Sequence, residues 1–507
     1  MVGRESRYLF GNRSGMVIAM VGDGRVRDRP VRRTLFGQPV GLANLAGIEL
    51  WERFAFYGML TILGYYLYYS VGVGGLGLPK STAAGIVGAY GGFVYLSTVL
   101  GGWVADRLLG TERTVFYGGV AVMAGHAALA ALPGLTGVGI GLLLIALGSG
   151  ALKSSASSLL GALYDEGDPR RDAGFTLFYL GVNLGAFLGP LLTGLMQISL
   201  GFRWAFGAAA LAMAVGLVQY AVFRRTLAGC GRQVPNPLPR SGLAVLAVGL
   251  LAAAAVVGLA SGSGILTVDD ISEVTSGLIL AASVGYFAVM LNSPKVNQVE
   301  RRRVAAFIPL FVANVVFMSL FQQVSTVLAI YADERINRSV LGWVAPPEWI
   351  AAIEPVWVIA LSPLFAVLWT RLGTAAPTTP QKFGCGVIGM GLAFLLLLVM
   401  AGTSGQSVPV LFVVAVLAVF AVSELILAPT GLAAASQLAP RIFQTQMMAL
   451  YFLSFGLGTA LSGVLARFYD PAREFAYFGA LGAVALVTGV VVLAIAPRIS
   501  DLMDGVH

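Results

Sequence analysis

Apolar stretches of about 20 residues, the length a bilayer core requires of a helix, recur along this 507-residue chain and leave it few possible folds. Six fall near residues 42–69, 83–105, 114–133, 137–160, 173–197 and 204–223, and six more near 306–331, 349–370, 382–402, 409–438, 444–466 and 475–496. In lipid a backbone satisfies its own polar groups only as helices or as a closed barrel. A barrel strand would alternate apolar and polar residues, and these stretches do not. The chain therefore reads as an all-α polytopic membrane protein. Its residues are 57% hydrophobic and 11% charged, with a mean hydropathy of +0.84, a balance no soluble globular domain sustains.

Between the two sets, Arg224-Arg225 opens a linker punctuated by Gly229, Gly231, Pro235, Pro237 and Pro239, and two further apolar runs, 241–260 and 274–292, flank the acidic turn at Asp269-Asp270. The spans then number fourteen. The chain divides into a basic tail, 1–40; a six-helix bundle, 41–224; a linker with a two-helix hairpin, 225–305; a second six-helix bundle, 306–497; and a short tail, 498–507. Residues 1–40 hold eight arginines and no apolar core long enough for a signal peptide.

The net charge of +8 does not point to nucleic acid, because the basic residues fall in alternate short loops. Arg107/Arg113, Arg170/Arg171, Arg224/Arg225, Lys295 with Arg301 to Arg303, Arg371/Lys382, Arg441 and Arg498 share one side with the tail. By the positive-inside rule that side is cytoplasmic, so both termini are expected inside a cell membrane. Cys230 and Cys385 are the only cysteines, one in the linker and one in a span, which gives no disulfide framework. His126 and His507 cannot form a metal site, and His126 reads as a packed histidine in an apolar run. No metal and no cofactor are expected.

The first span breaks the apolar rule. Glu49, Glu52 and Arg53 lie in Gly47-Ile48-Glu49-Leu50-Trp51-Glu52-Arg53-Phe54-Ala55-Phe56-Tyr57-Gly58, and each charge at membrane depth costs several kcal/mol without an interior, wet face. Positions 49, 52, 53, 56, 57 and 60 follow the i, i+3, i+4, i+7 spacing of one helix side, so the charges can share a central cavity. This run resembles the E-x-x-E-R-F-x-Y-Y-G signature of the proton-dependent oligopeptide transporters, a branch of the major facilitator superfamily, with Phe56 in place of the first tyrosine. The resemblance implies a major facilitator fold of two six-helix bundles, and the 241–292 pair resembles the extra hairpin of bacterial members.

Other motifs carry the same likeness. Gly101 to Thr114 resembles the superfamily's G-x-x-x-D-R-x-x-G-x-x-R loop, in which Gly102, Asp106, Arg107, Gly110 and Arg113 would latch and release the cytoplasmic face. Gly148-Ser149-Gly150-Ala151-Leu152-Lys153 places a lysine in the fourth span, where a carboxylate partner is expected; Ser154-Ser155 replaces the family's Pro-Asn. Phe175 to Phe187 matches the fifth-span signature F-x-x-F-Y-x-x-x-N-x-G-x-F, and its Asn183 reads equally as a substrate contact and as a bridge between helices. Ser423-Glu424 precedes an expected proline break at Pro429, and Glu424 is the expected partner of Lys153 across the cavity. Tyr451 stands where the family often has a pocket tryptophan.

The chain also departs from its relatives. Leu60 replaces an arginine that commonly holds the peptide carboxylate, and Gln322 replaces a carboxylate of the seventh span; the two losses are electrostatically coherent. Glu354 in Ile353-Glu354-Pro355 stands where asparagine is typical, and reads either as a pocket acid or as a solvated residue near the end of its span.

The resemblance implies a proton-coupled importer of di- or tripeptides or peptide-like compounds, working by alternating access. Protons, a small peptide and the bilayer are its expected partners. Glu49, Glu52, Arg53, Lys153, Glu354 and Glu424 are the expected proton-coupling set. Arg53, Tyr57, Tyr95, Lys153, Asn183, Gln322, Glu424 and Tyr451 are expected to line the substrate pocket. Two rivals stand beside this reading: a transporter of a non-peptide anion or secondary metabolite, suggested by Leu60 and Gln322, and a membrane sensor, which would have no need of the Asp106 loop. No nucleophile–base pair, metal cluster or phosphate loop suggests an enzyme.

Overall fold

The computed structural model describes residues 34–503, apart from 36, 165–167, 169, 228, 235–236, 240–262, 264–266, 341 and 404. Most of the 1–40 tail, the first hairpin run at 241–260 and the last four residues of the chain lie outside the described residues. A short antiparallel pair, Thr34–Leu35 with Gln38–Pro39, leads into the first helix.

The first half consists of α1 (Val40–Tyr68), α2 (Lys80–Val104), α3 (Thr111–Ala131), α4 (Gly134–Gly161), α5 (Arg171–Leu200) and α6 (Phe202–Val222). Next comes α7 (Ile271–Asn292), the second helix of the expected hairpin. The second half holds α8 (Gln298–Phe321), α9 (Val327–Glu334), α10 (Ile353–Leu372), α11 (Thr379–Leu397), α12 (Val410–Gln437), α13 (Gln444–Ala466) and α14 (Glu474–Met503). Among the described residues, twelve helical segments are long and apolar enough to cross a membrane. The 29 residues of α1 also suffice, at about 1.5 Å per residue, but its three charges set it apart.

Each half buries its own apolar core. One cluster gathers Leu45, Ile48, Tyr65, Phe206 and Tyr220; the other gathers Phe307, Phe317, Phe383, Phe394, Phe420 and Phe478. The halves meet along α2 and α13, where a methyl group added at Gly88 would lie 2.6 Å from the Gly463 backbone. Small residues allow that approach where lipid offers helices no hydrophobic reason to associate. The helix α7 seats on the same seam: Ser272 donates to the Gly85 carbonyl at 2.6 Å, and Glu273 pairs with Arg467.

Two spans differ from the sequence reading. The seventh is broken, α8 passing through a 3-10 turn at Gln322–Ser325 before α9 begins. Side chains compete for the backbone there, Gln323 donating to the Ser319 carbonyl at 3.3 Å and Thr326 to that of Gln322 at 3.5 Å. The Tyr477 hydroxyl donates to the Gln323 side chain at 3.1 Å, so the turn stays satisfied in an apolar surround. In the tenth span no break occurs at Pro429, which lies inside the continuous helix α12.

Candidate functional site

The three charges of α1 are buried together, Glu49 at 4% exposure, Glu52 at 0% and Arg53 at 2%. Helical spacing brings Arg53 Nε within 3.0 Å of Glu49 Oε1, and it also lies 2.8 Å from Glu52 Oε2. Ser149 of α4 donates its hydroxyl to Glu52. Lys153, also on α4, has its ammonium 4.7 Å from the centroid of the Tyr95 ring, in the combined field of Glu49, Glu52 and Arg53. Two acids and two bases thus neutralise one another within the first half, as a cluster at membrane depth requires.

In the second half Glu354 and Glu424 lie close enough to act on each other electrostatically, with Glu354 Oε1 buried and without a hydrogen-bond partner. Two carboxyl groups can hydrogen-bond each other only when one carries a proton. Glu354 is 9% exposed, so it is not a solvated residue at the end of its span. The expected ion pair between Lys153 and Glu424 is not formed among the described residues: the ammonium lies in the field of Glu49 and Glu52 of its own half, and Glu424 lies beside Glu354.

The remaining expected residues divide. Tyr57 and Tyr95 stand in electrostatic reach of Glu424 across the interface. Tyr451 packs on Phe455 with ring centroids 4.9 Å apart and donates to the Ala428 carbonyl at 2.9 Å. Phe455 in turn meets Tyr95 at 5.5 Å, so these rings form one wall. The amide of Asn183 donates within its own helix to the Tyr179 carbonyl at 3.0 Å, and Gln322 donates to Thr459 at 3.1 Å. Tyr179, half-exposed and passed over by the sequence reading, lies within electrostatic reach of Glu424, Glu354 and Tyr57; only its place in the fifth-span signature marked it.

Leu60 is buried at 5% exposure. Leu60→Arg is expected to lower stability and uptake unless Gln322→Glu accompanies it, since a lone guanidinium buried there costs several kcal/mol. Equal behaviour of the single and double variants in thermal unfolding and uptake would show that positions 60 and 322 do not face each other.

The loop between α2 and α3 is a π-helical turn, Ala105–Leu109, closed by Gly110 at φ +78°, a left-handed conformation that glycine adopts without strain. Asp106, Arg107 and Arg113 are exposed, and Asp106 has no ion-pair partner among the described residues. The expected latch between Asp106 and its arginines is thus not formed here. The buried ion-pair node of this loop is Glu112, at 1% exposure, bound to Arg224 and, at 3.0 Å, to Arg232. The Glu112 hydrogen bond pushes Arg224 further above the usual arginine range. Leu238 N donates to the Arg107 carbonyl at 3.0 Å, so the linker wraps the loop. Glu112→Gln should loosen that wrap by about 1 kcal/mol, since both arginines are partly solvated, and raise tryptic cleavage at Arg232 roughly fivefold. An unchanged cleavage rate would show that the backbone contacts hold the linker alone.

At the opposite end, hydrogen bonds tie the halves together. Tyr65 donates to the Ala329 carbonyl at 3.0 Å, Tyr68 and Tyr69 to Asp333 at 2.9 and 3.0 Å, and Trp349 to the Leu191 carbonyl at 3.1 Å. Lys80 pairs with Glu334. A charge-balanced cluster in the first half and a buried acid pair in the second lie inside a helical membrane protein whose halves are fastened at this end.

A model of the POT family matches residues 112–484. The chain belongs to the POT family. Similar POT-family relatives span nearly its whole length. An uncharacterized transporter, YclF, of Bacillus subtilis strain 168 is 40% identical, covering 94% of this chain and 97% of its own. A di-/tripeptide transporter of Lactococcus lactis subsp. cremoris is 37% identical, covering 94% and 98%. Among solved structures, a peptide transporter POT in complex with sulfate is 44% identical with a TM-score of 0.90, covering 94% and 98%. A POT family transporter in complex with 5-aminolevulinic acid is 35% identical with a TM-score of 0.87, covering 92% and 98%.

Proposed function

We propose that this POT-family protein is a proton-coupled symporter that imports di- or tripeptides or peptide-like compounds by alternating access, with both termini in the cytoplasm. The observation that carries this reading is the paired clusters: a charge-balanced Glu49–Arg53–Glu52–Lys153 group on one half and a buried Glu354–Glu424 acid pair on the other. A substrate carboxylate drawn to Lys153 and Arg53, and an amine drawn to the acid pair, would disturb both balances at once. Reciprocity then links the proton to the substrate, because whatever a proton does to substrate affinity, substrate does to proton affinity. Tyr57, Tyr95, Asn183, Gln322 and Tyr451 would shape the space between. The relatives named as peptide transporters support the same cargo.

The arginine-rich loops support a cytoplasmic assignment for their end, which makes the fastened end the outer one and the molecule, in this state, closed to the outside. One charge moved through 100 mV gains about 2.3 kcal/mol, enough to drive accumulation. A second reading, transport of a small non-peptide compound, is favoured by Leu60 and by Gln322 bound to Thr459, and by a relative holding 5-aminolevulinic acid. Uptake into proteoliposomes with and without a proton gradient, comparing dipeptides with non-peptide amino acids and anions, decides between them. No gradient-stimulated uptake of any of these would overturn both.

A further inference from the structure

Glu348 is buried at 2% exposure inside the outer closure, and neither carboxylate oxygen has a hydrogen-bond partner on another described residue. It sits in the 3-10 turn Pro347–Ala352 ahead of α10, against α5, where Oε2 lies 3.4 Å from the position a methyl group on Gly194 would take. It also lines a small cavity of about 20 Å³ with Thr61 and Tyr65 of α1 and Ala329 and Tyr331 of the seventh span, room for about one water molecule. The charged and titratable groups facing it are Arg338, Asp333, Tyr65 and Tyr69, with Tyr331 across the cavity.

Arg338, Asp333, Tyr65 and Tyr69 are engaged elsewhere or anionic, and neither the unpartnered Tyr331 hydroxyl nor Arg338 Nε hydrogen-bonds Glu348. Arg338 donates from Nη1 to the Ala345 carbonyl at 2.9 Å and pairs through Nη2 with Asp333 at 3.4 Å, leaving its buried Nε without a partner. Asp333 is an anion itself and accepts from Tyr68 and Tyr69. Tyr65 gives its proton to Ala329. The same hydrogen bonds that close the outer end therefore take up the Tyr65, Tyr69 and Arg338 Nη donors that an ionised Glu348 would need. A carboxylate buried without compensation is far costlier than the acid.

We infer that Glu348 is a proton-binding site of the outer closure, loaded from the outer solution while that end is open and held as the neutral acid while it is closed. Opening separates Asp333 from Tyr68 and Tyr69, admits water, and frees Arg338 to approach an ionised Glu348. The proton enters and leaves on the same side, so this site sets how readily the outer end opens without itself moving a charge across the membrane. It rests on the alternating-access reading above and lies apart from the central clusters.

The test measures opening directly. Cysteines replacing Val73 and Val344, exposed at 63% and 57% on opposite halves at this end, carry spin labels in full-length protein whose Cys230 and Cys385 are serine, reconstituted in lipid nanodiscs. Distances across the outer end are read by pulsed electron resonance from pH 4 to 9. Because opening releases one proton, the ratio of open to closed should rise with pH by up to tenfold per unit. Glu348→Gln should flatten that slope and favour the closed state at every pH, and Glu348→Ala should flatten it as well. A flat wild-type slope, or a wild-type slope retained in either variant, would overturn the inference while leaving alternating access standing. A single closed distance at every pH, with and without a dipeptide, would overturn both.

Discussion

Proteoliposomes containing the Glu354→Gln variant are expected to exchange substrate across a membrane without a gradient, yet to lose nearly all accumulation driven by a pH gradient. On the proposed coupling, Glu354 and Glu424 would hydrogen-bond only while one of them holds a proton, so binding or losing that proton would make or break a link between α10 and α12. A glutamine amide donates a hydrogen bond to Glu424 at any pH. The link then persists whether or not a proton is available, and the cycle runs uncoupled. Counterflow of labelled substrate measures what survives, and acidification-driven uptake measures what is lost. If accumulation under a gradient is unchanged, Glu354 is a passive partner and the proton is carried by Glu49, Glu52 or Glu424.

Arg53→Met should be the most damaging single change in the first half. It leaves two buried carboxylates, Glu49 and Glu52 at 4% and 0% exposure, against the single charge of Lys153; removing one partner of such a group typically costs about 3–5 kcal/mol. Thermal unfolding in detergent should shift sharply downward. Adding Glu49→Gln to Arg53→Met should recover much of that stability, because Glu52 and Lys153 then balance each other and the cluster is neutral again, while uptake stays abolished. Recovered transport in the double variant would mean that the cluster is scaffolding and plays no part in the cycle.

The membrane spans and the α1 cluster were legible because both follow from strong, local physics: twenty apolar residues have one inexpensive destination in lipid, and charges at helical spacing inside such a run must share a face. Partners were harder to read. Lys153 and Glu424 each demanded an opposite charge, but the sequence does not tell which half supplies it, and the acids nearest Lys153 on α1 satisfied it first. Glu112 and Glu348 went unnoticed for a common reason. An acid at the start of a helix is ordinarily explained by the helix dipole, and only burial, here 1% and 2%, distinguishes an ion-pair node or a proton site from routine helix-end chemistry. The interruption after Phe321 was hidden because Gln322, Gln323 and Thr326 read as a minor polar patch in a strong apolar run. Their competition for backbone carbonyls becomes visible only when Tyr477 is found completing it.

That interruption divides the seventh span into two bodies with separate duties. The long segment α8 belongs to the packed core of its half, whereas the eight residues of α9 bear Ala329, Asp333 and Glu334, the anchors of the outer fastening. Because the 3-10 turn between them carries its own hydrogen bonds to side chains, the proposed alternating-access cycle would need α9 only to tilt as a short lever about Thr326 without dragging α8 through the core, the kind of element-terminal pivot on which large backbone rotations concentrate. Release of the fastening would then be a local act, not a reshaping of the whole bundle.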